Sequence, residues 1–120
     1  MIKFNHIEYN CAMELTIEII GGKWKPLIIW YLAEKTMRFC ELKRSMPHIT
    51  QKMFTQQLKA LEKSGLIKRV VYTEKSPKVE YSLTDVGKSL LPILSTLCEW
   101  GVNYTRSVES SDKVEAKIGL

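Results

Sequence analysis

The sequence predicts a mainly α-helical domain with one small β-hairpin. Apolar residues recur with helical spacing along most of the chain, and only three residues separate two of the helical segments. A strand, a turn and a returning strand come next, and a long last helix completes the pattern. This order predicts a winged helix-turn-helix in one domain, residues 1–120, whose terminal helices form a dimer interface.

The N-terminal third is predicted to hold two helices behind a polar segment that ends near Tyr9. Apolar spacing predicts the first helix over residues 11–20, and the Gly21-Gly22 pair stops it. The second helix, Lys23 to Ala33, is rich in large apolar side chains and carries Pro26 in its first turn, where proline is tolerated. We expect so apolar a helix at the centre of the core.

Two further helices form the predicted helix-turn-helix. The first is Arg38 to Met46, and Pro47 ends it because the residue before a proline is pushed out of the helical conformation. The second begins at Thr50, whose side-chain oxygen can cap the first turn. Only Pro47, His48 and Ile49 lie between the two helices.

The second of these helices has an outer face suited to DNA. At about 100° per residue, Phe54, Leu58 and Leu61 share one narrow stripe that must face the core, and the polar side carries no acid before Glu62. Gln and Thr can bond base edges, and Lys can bond guanine or phosphate, so this face has the chemistry of a recognition helix. The predicted DNA contacts on it are Thr50, Gln51, Lys52, Thr55, Gln56 and Lys59.

A basic hairpin follows this helix directly. The segment "LIKRVVY" is typical of a strand, and "KVEYSL" alternates as a returning strand. The turn between them carries Lys75 and Lys78 around Pro77, and these two lysines are the predicted contacts of the wing with DNA. An ordinary hairpin with solvated charges is the alternative interpretation.

The distribution of charge favours the DNA interpretation. The net charge is +5, and residues 35–78 alone hold 11 Lys and Arg against 3 Glu, a local charge of +8. The other residues carry 7 basic groups against 10 acidic ones, a charge of −3. A solvated surface would not predict this asymmetry, whereas a DNA-binding face requires it.

The last helix is predicted to run over residues 85–106 from a cap at Thr84, with Pro92 inside it as the site of a kink. It is apolar on two sides. One side carries Leu90, Leu91, Leu94, Leu97 and Cys98, and the other carries Ile93, Trp100 and Tyr104. Because an end helix of a small domain needs only one apolar side, we predict a homodimer. The predicted interface residues are Leu94, Leu97, Trp100 and Tyr104.

No metal site, cofactor or catalytic arrangement is predicted. The cysteines are widely spaced, and His6 and His48 add no zinc-like spacing. No Ser/His/Asp arrangement, pair of carboxylates or Gly-rich phosphate loop indicates an enzyme. A signal peptide, a membrane span and a basic amphipathic helix with exposed aromatics are all absent from the pattern, so a cytoplasmic protein without a membrane role is expected.

Five segments resemble the HxlR family of small bacterial winged-helix regulators, which are related to MarR-type proteins. They are "C-x-M-E", "IGGKWKPLIIWYL", "RFCELKRSMPHITQKMFTQQLKALEKSGLIKR", "VEYSLTDVGKSL" and "LCEWG", between Cys11 and Gly101. The resemblance implies a homodimer that binds double-stranded DNA through residues 50–59 and 75–78 and regulates neighbouring genes. The competing interpretation is a winged-helix module that binds an acidic protein and has no specific DNA target, although Gln and Thr among the lysines argue against it.

The resemblance also concerns Cys11. A cysteine recurs at this place in the family, and some members use it to sense oxidants or electrophiles. The start of a helix favours a thiolate, although Glu14 opposes it, and the competing interpretation is a small packing residue beside the dimer helices. Cys40 and Cys98 are expected to be buried thiols, and whether either can pair with Cys11 stays open.

Overall fold

A computed structural model of the protein describes residues 1–72 and 78–109. The helices and strands follow one another in a simple order. They are β1 (Ile2–Phe4), β2 (Ile7–Tyr9), α1 (Ala12–Ile20), α2 (Lys25–Tyr31), β3 (Met37–Arg38), α3 (Phe39–Arg44), α4 (Gln51–Lys63), β4 (Ile67–Tyr72), β5 (Lys78–Leu83), α5 (Asp85–Lys88) and α6 (Leu91–Glu109).

The helix-turn-helix prediction is confirmed, with α3 and α4 as its two helices. The Thr50 hydroxyl oxygen accepts a hydrogen bond from the Met53 backbone N–H at 3.1 Å, which makes Thr50 the N-cap of α4. On the inner side of α4, the predicted stripe is buried, and the Phe54 ring packs on Phe39 of α3 with 4.9 Å between ring centroids. This packing holds the outer face of α4 in one orientation.

The end of α4 depends on one glycine. Gly65 has a φ of 78°, in the left-handed region that favours glycine. The Leu66 N–H bonds the Leu61 carbonyl at 3.0 Å and the Gly65 N–H bonds that of Glu62 at 3.0 Å, so the last carbonyls of the helix are satisfied as the chain turns. Strand β4 therefore starts only two residues later.

The predicted wing hairpin is confirmed as the antiparallel pair β4–β5, with Ile67 opposite Leu83 and Tyr72 opposite Lys78. A third strand, β3, adds to β5 on the other side, so the sheet order is β3-β5-β4. The two residues of β3 are too few to show a strand pattern, so this strand was not predicted. The hairpin turn with Lys75 lies outside the described residues.

The core lies between α2 and the inner sides of α3, α4 and the sheet. Ile28 and Ile29 of α2 are fully buried, as expected for the most apolar helix of the chain. Leu42, Leu61 and Ile67 are buried with them and join α3, α4 and β4 to the same cluster.

The C-terminal region differs from the prediction in two ways. Thr84 caps a separate short helix, α5, where its hydroxyl oxygen accepts from the Gly87 N–H at 3.0 Å, and α6 starts only at Leu91. Pro92 is therefore the second residue of α6 and not an interior residue that kinks it. A proline fits there because the first N–H groups of a helix have no intrahelical partner.

The polar N-terminal segment, for which no element was predicted, forms the β1–β2 hairpin. Asn5 and His6 both have positive φ, 50° and 65°, as a two-residue type I′ hairpin turn requires. Helix α1, which follows, has no fully buried residue and reaches the core through Ile19 and Ile20 near its end. Within the described ranges, no helix has the length and apolarity that crossing a membrane requires.

Candidate nucleic-acid interface

The outer face of α4 is the strongest candidate for a binding surface. Lys52, Gln56 and Lys59 are exposed on it, and Thr55 is half-buried. Neither Lys52 nor Lys59 forms an ion pair with any acid among residues 1–72 and 78–109. The face keeps its positive charge and its hydrogen-bonding groups for a ligand.

The two adjacent glutamines of α4, Gln56 and Gln57, differ in whether the side-chain amide is already hydrogen-bonded. The Gln57 side-chain amide donates to the Met53 sulfur at 3.3 Å, which folds it back along the helix. The Gln56 amide makes no hydrogen bond to another described residue, and Gln56 is exposed on α4. The amide of Gln56 can therefore offer a donor and an acceptor to a base edge.

Two of the predicted contacts lie at the start of α4. The Thr50 oxygen is used as the helix cap, which leaves its hydroxyl proton free to donate. Gln51, the first residue of the helix, is exposed beside it. In helix-turn-helix proteins, the N-terminal residues of the second helix are those that reach base edges.

A cleft of about 320 Å³ separates α4 from the wing sheet. Thr55, Lys59 and Glu62 line its helix side, whereas Arg69 and Tyr81 line its sheet side. Arg69 was not among the predicted contacts, because the segment of β4 indicated only a strand. Its charge beside Lys59 appears only when the sheet is folded against the helix.

Of the two lysines predicted as wing contacts, Lys78 lies among the described residues. Lys78 is exposed at the first position of β5, next to the hairpin turn. Lys78 pairs with Tyr72, at the end of the β4–β5 hairpin farthest from Ile67 and Leu83. Its predicted companion, Lys75, is outside the described residues.

The long helix α6 presents an exposed apolar face. Leu97 is 57% exposed and Trp100 is 65% exposed, and the Trp100 ring stacks on Tyr104 at 5.1 Å between centroids. Leu94, in contrast, lies in the core of its own chain with 4% exposure. Ile93 and Val102 are also exposed apolar residues of α6, although they were not among the predicted interface residues. Such a concentration of exposed apolar side chains on one helix is typical of an interaction surface.

The N-terminal elements carry exposed apolar residues too. Met13 and Ile17 are exposed on α1, and Phe4 and Ile7 are exposed on the β1–β2 hairpin. The helix over residues 11–20 was predicted to take part in the dimer, although no individual interface residues were named in it.

All three cysteines are exposed, so the expectation that Cys40 and Cys98 are buried was wrong. Cys40 lies on α3, which turns Leu42 inward, and Cys98 lies on α6, which buries only Leu94. Both thiols therefore face outward. Within the described part of the chain, no three of the potential metal-binding side chains come together.

Cys11 lies at the junction between the hairpin and α1, as the extended N-cap residue of that helix. Both oxygens of the Glu14 carboxylate accept hydrogen bonds from Asn10, one from the backbone N–H at 2.9 Å and one from the side-chain amide at 3.3 Å. The acid expected to oppose a thiolate at Cys11 is therefore held by another residue.

A tyrosine links the same hairpin to α1. A hydrogen bond between the Tyr9 hydroxyl and the Glu18 side chain, together with burial and the negative charge of Glu18, raises the pKa of Tyr9. This contact joins the end of β2 to α1, the helix that follows Cys11.

Known proteins resemble this chain over most of its length. The sequence profile of the family described as HxlR-like helix-turn-helix matches residues 19–109. An HTH-type transcriptional regulator of Bacillus subtilis (strain 168), YtcD, is 52% identical over 101 residues, which span 84% of this chain and 80% of the relative.

Solved structures share the fold. The redox regulator HypR in its oxidized form matches with a TM-score of 0.74 at 45% identity, over 78% of this chain and 96% of that chain. The quinone-bound YodB from B. subtilis matches with a TM-score of 0.66 at 30% identity, over 77% of this chain and 97% of that chain. The winged helix-turn-helix fold class is confirmed by these likenesses.

Proposed function

This chain belongs to the HxlR-like helix-turn-helix family of transcriptional regulators, and from that premise we propose that it acts as a homodimer that reads a two-fold symmetric DNA site. The observation that carries the proposal is the outer face of α4. Lys52 and Lys59 form no ion pair with a described acid there, and the Gln56 amide between them can bond a base edge.

The same face supports sequence-specific reading over a purely electrostatic contact. Lysines bound only to phosphates carry no sequence information, whereas amide and hydroxyl groups can match the donors and acceptors of the major groove. Gln56 and Thr55 supply such groups. Arg69 and Lys78 extend the positive charge to the wing and would hold the backbone beside the groove.

Dimerisation is supported by the exposed face of α6 around Leu97, Trp100 and Tyr104, with Met13 and Ile17 of α1 as further candidates. A two-fold axis through these helices would bring two copies of α4 to one side of the dimer. Half-sites about 10 base pairs apart, one turn of DNA, would then be read together.

Selection of bound fragments from the native genome tests the proposed function. A dimeric reader should enrich fragments that share one inverted repeat. Binding to all fragments alike, with a steep loss in salt, would instead indicate backbone attraction without a specific target. That result would favour the protein-interaction module.

Replacing Gln56 by alanine should relax sequence preference. If the amide bonds a base in a bidentate manner, its loss costs about 1–3 kcal/mol on the cognate site and little on a scrambled one. Gln57→Ala is the matched control, because the Gln57 amide is occupied by the Met53 sulfur. Titration of both variants against both duplexes measures the effect. Equal losses on the two duplexes for Gln56→Ala would remove Gln56 from the base-reading residues.

We further propose that Cys11 senses oxidants or electrophiles. The Cys11 thiol is exposed at the junction between the β1–β2 hairpin and α1. Met13 and Ile17, the candidates for the dimer interface on α1, are exposed on the helix that follows it. Proteins of similar structure to this chain include a redox regulator and a protein solved with a bound quinone. Modification at this joint would shift α1 against the partner and change the distance between the two recognition helices.

The Cys11 proposal predicts that diamide or a quinone weakens DNA binding by the wild type and leaves Cys11→Ser unaffected. A thiolate at an exposed site is the reactive form of cysteine. Because Cys40 and Cys98 are exposed too, Cys11→Ser is compared with the wild type in a Cys40→Ser, Cys98→Ser background, where Cys11 is the one thiol. DNA affinity before and after treatment is the measurement. The same response in wild type and Cys11→Ser would make Cys11 a packing residue only.

A further inference from the structure

A second basic cleft, of about 620 Å³, lies between α3 and the start of β5. Apart from Lys78, none of its residues was assigned to DNA above. Its lining is Arg38, Phe39, Cys40, Glu41, Arg44, Lys78 and Val79.

Three elements bring the cations of this cleft together. Arg38 ends the short strand β3, Arg44 ends α3, and Lys78 begins β5. The β3–β5 pairing places Arg38 opposite Glu80, two residues beyond Lys78. The start of α3 is therefore held beside the first residues of β5. This neighbourhood depends on β3, a strand that the sequence pattern did not reveal.

The single acid in the lining does not cancel this charge. One oxygen of the Glu41 carboxylate accepts from the Arg38 backbone N–H at 3.1 Å, and the other lies 3.8 Å from the Lys35 ammonium. Its negative charge is therefore matched by a lysine outside the cleft. The guanidinium groups of Arg38 and Arg44 form no ion pair with an acid in the described part of the chain.

The cleft is positioned relative to the recognition helix by two contacts. The Phe39 ring packs on Phe54 of α4, with 4.9 Å between centroids, so the start of α3 is packed against α4. The wing hairpin forms a wall of both clefts, through Arg69 and Tyr81 beside α4 and through Lys78 and Val79 beside α3. A duplex seated on α4 and the wing would carry its backbone past this second cleft.

We propose that the α3–wing cleft binds a backbone phosphate of the DNA that α4 reads, with Arg38 and Arg44 as its positioning residues. Guanidinium groups suit this ligand, because their planar donors match phosphate oxygens in pairs. The inference rests on the proposed DNA-binding function. It adds a contact beyond the recognition helix and the wing turn, one that sets the register of the protein on DNA and does not read sequence.

Salt titration with duplex DNA of mixed sequence tests the phosphate contacts. In Arg38→Gln and Arg44→Gln, the slope of log affinity against log salt should fall by ~0.9 for each phosphate that is no longer neutralised, with the same fall in affinity on every sequence. Lys88→Gln is the control for the same change in net charge, because Lys88 lies on α5 and lines neither cleft. Unchanged slopes in both arginine variants would overturn the cleft proposal.

Cys40 provides a second readout that requires no substitution of the arginines. In a Cys11→Ser, Cys98→Ser variant, Cys40 is the one thiol, and it can be labelled with methanethiosulfonates that add either a sulfonate or a trimethylammonium group of similar size. The thiol sulfur forms a disulfide with the reagent, and methanesulfinate leaves. The sulfonate label should weaken DNA binding on the order of tenfold relative to the ammonium label, since it places a negative charge beside a phosphate.

The same pair of labels on Cys98 as the sole thiol should give equal DNA affinities, because Cys98 lies on α6, outside the cleft. Equal affinities for the two labels on Cys40 would overturn the cleft proposal while leaving DNA binding by the wild type intact. Failure of the wild type to bind any duplex would overturn the proposed function itself. The two failures are therefore distinguishable.

Discussion

Trp100→Glu is expected to convert the proposed dimer into a monomer at micromolar concentration and to weaken operator binding with it. Trp100 is 65% exposed on α6 and stacks on Tyr104, so its own chain leaves most of the indole ring in water. Large aromatic side chains at the centre of an interface contribute about 2–4 kcal/mol each, and a buried, unpaired carboxylate would cost more. At about 1.4 kcal/mol per tenfold, the dimer should weaken roughly 100-fold or more.

Light scattering across a concentration series measures the change. Val86→Glu is the matched control, since Val86 is exposed on α5 and receives the same charge outside the proposed interface. Circular dichroism should show both variants folded. A dimer of unchanged affinity in Trp100→Glu would mean that this face of α6 does not join the protomers.

Phe54→Ala is expected to destabilise the domain by about 3–5 kcal/mol, a large share of the roughly 5–15 kcal/mol that holds a small domain folded. The Phe54 ring is fully buried on the inner side of α4 and packs on Phe39. Removing it leaves a cavity where α3 and α4 meet, so the outer face of α4 should lose its fixed orientation too. DNA binding should fall although no DNA contact has been removed.

Urea unfolding at one fixed protein concentration tests this expectation, because dimerisation links stability to concentration. Phe54→Leu should give an intermediate loss of stability, and Lys63→Ala, at an exposed position of the same helix, should change stability by less than about 0.5 kcal/mol. A Phe54→Ala midpoint equal to that of Lys63→Ala would contradict the role given to the Phe39–Phe54 packing.

Local patterns were sufficient to predict the helix-turn-helix and the wing hairpin. The cap at Thr50, the buried stripe of α4 and the strand "KVEYSL" are each decided by residues a few positions apart. The β1–β2 hairpin and β3 escaped prediction because two or three residues are too few to establish a period of two. The start of α6 was placed six residues early, since Thr84 caps a separate short helix.

By itself, the sequence determined the helix-turn-helix, the polar face of α4 and the concentration of positive charge, because helical spacing, caps and composition are local properties. Only the tertiary structure decided which groups remain exposed and which distant cations share a cleft. Leu94 and Leu97 have the same apolar chemistry, yet the core buries the first and leaves the second exposed. Arg38 and Lys78 come together because β3 pairs with β5. Such neighbours are set by the packing of separate elements, which no spacing along the chain encodes.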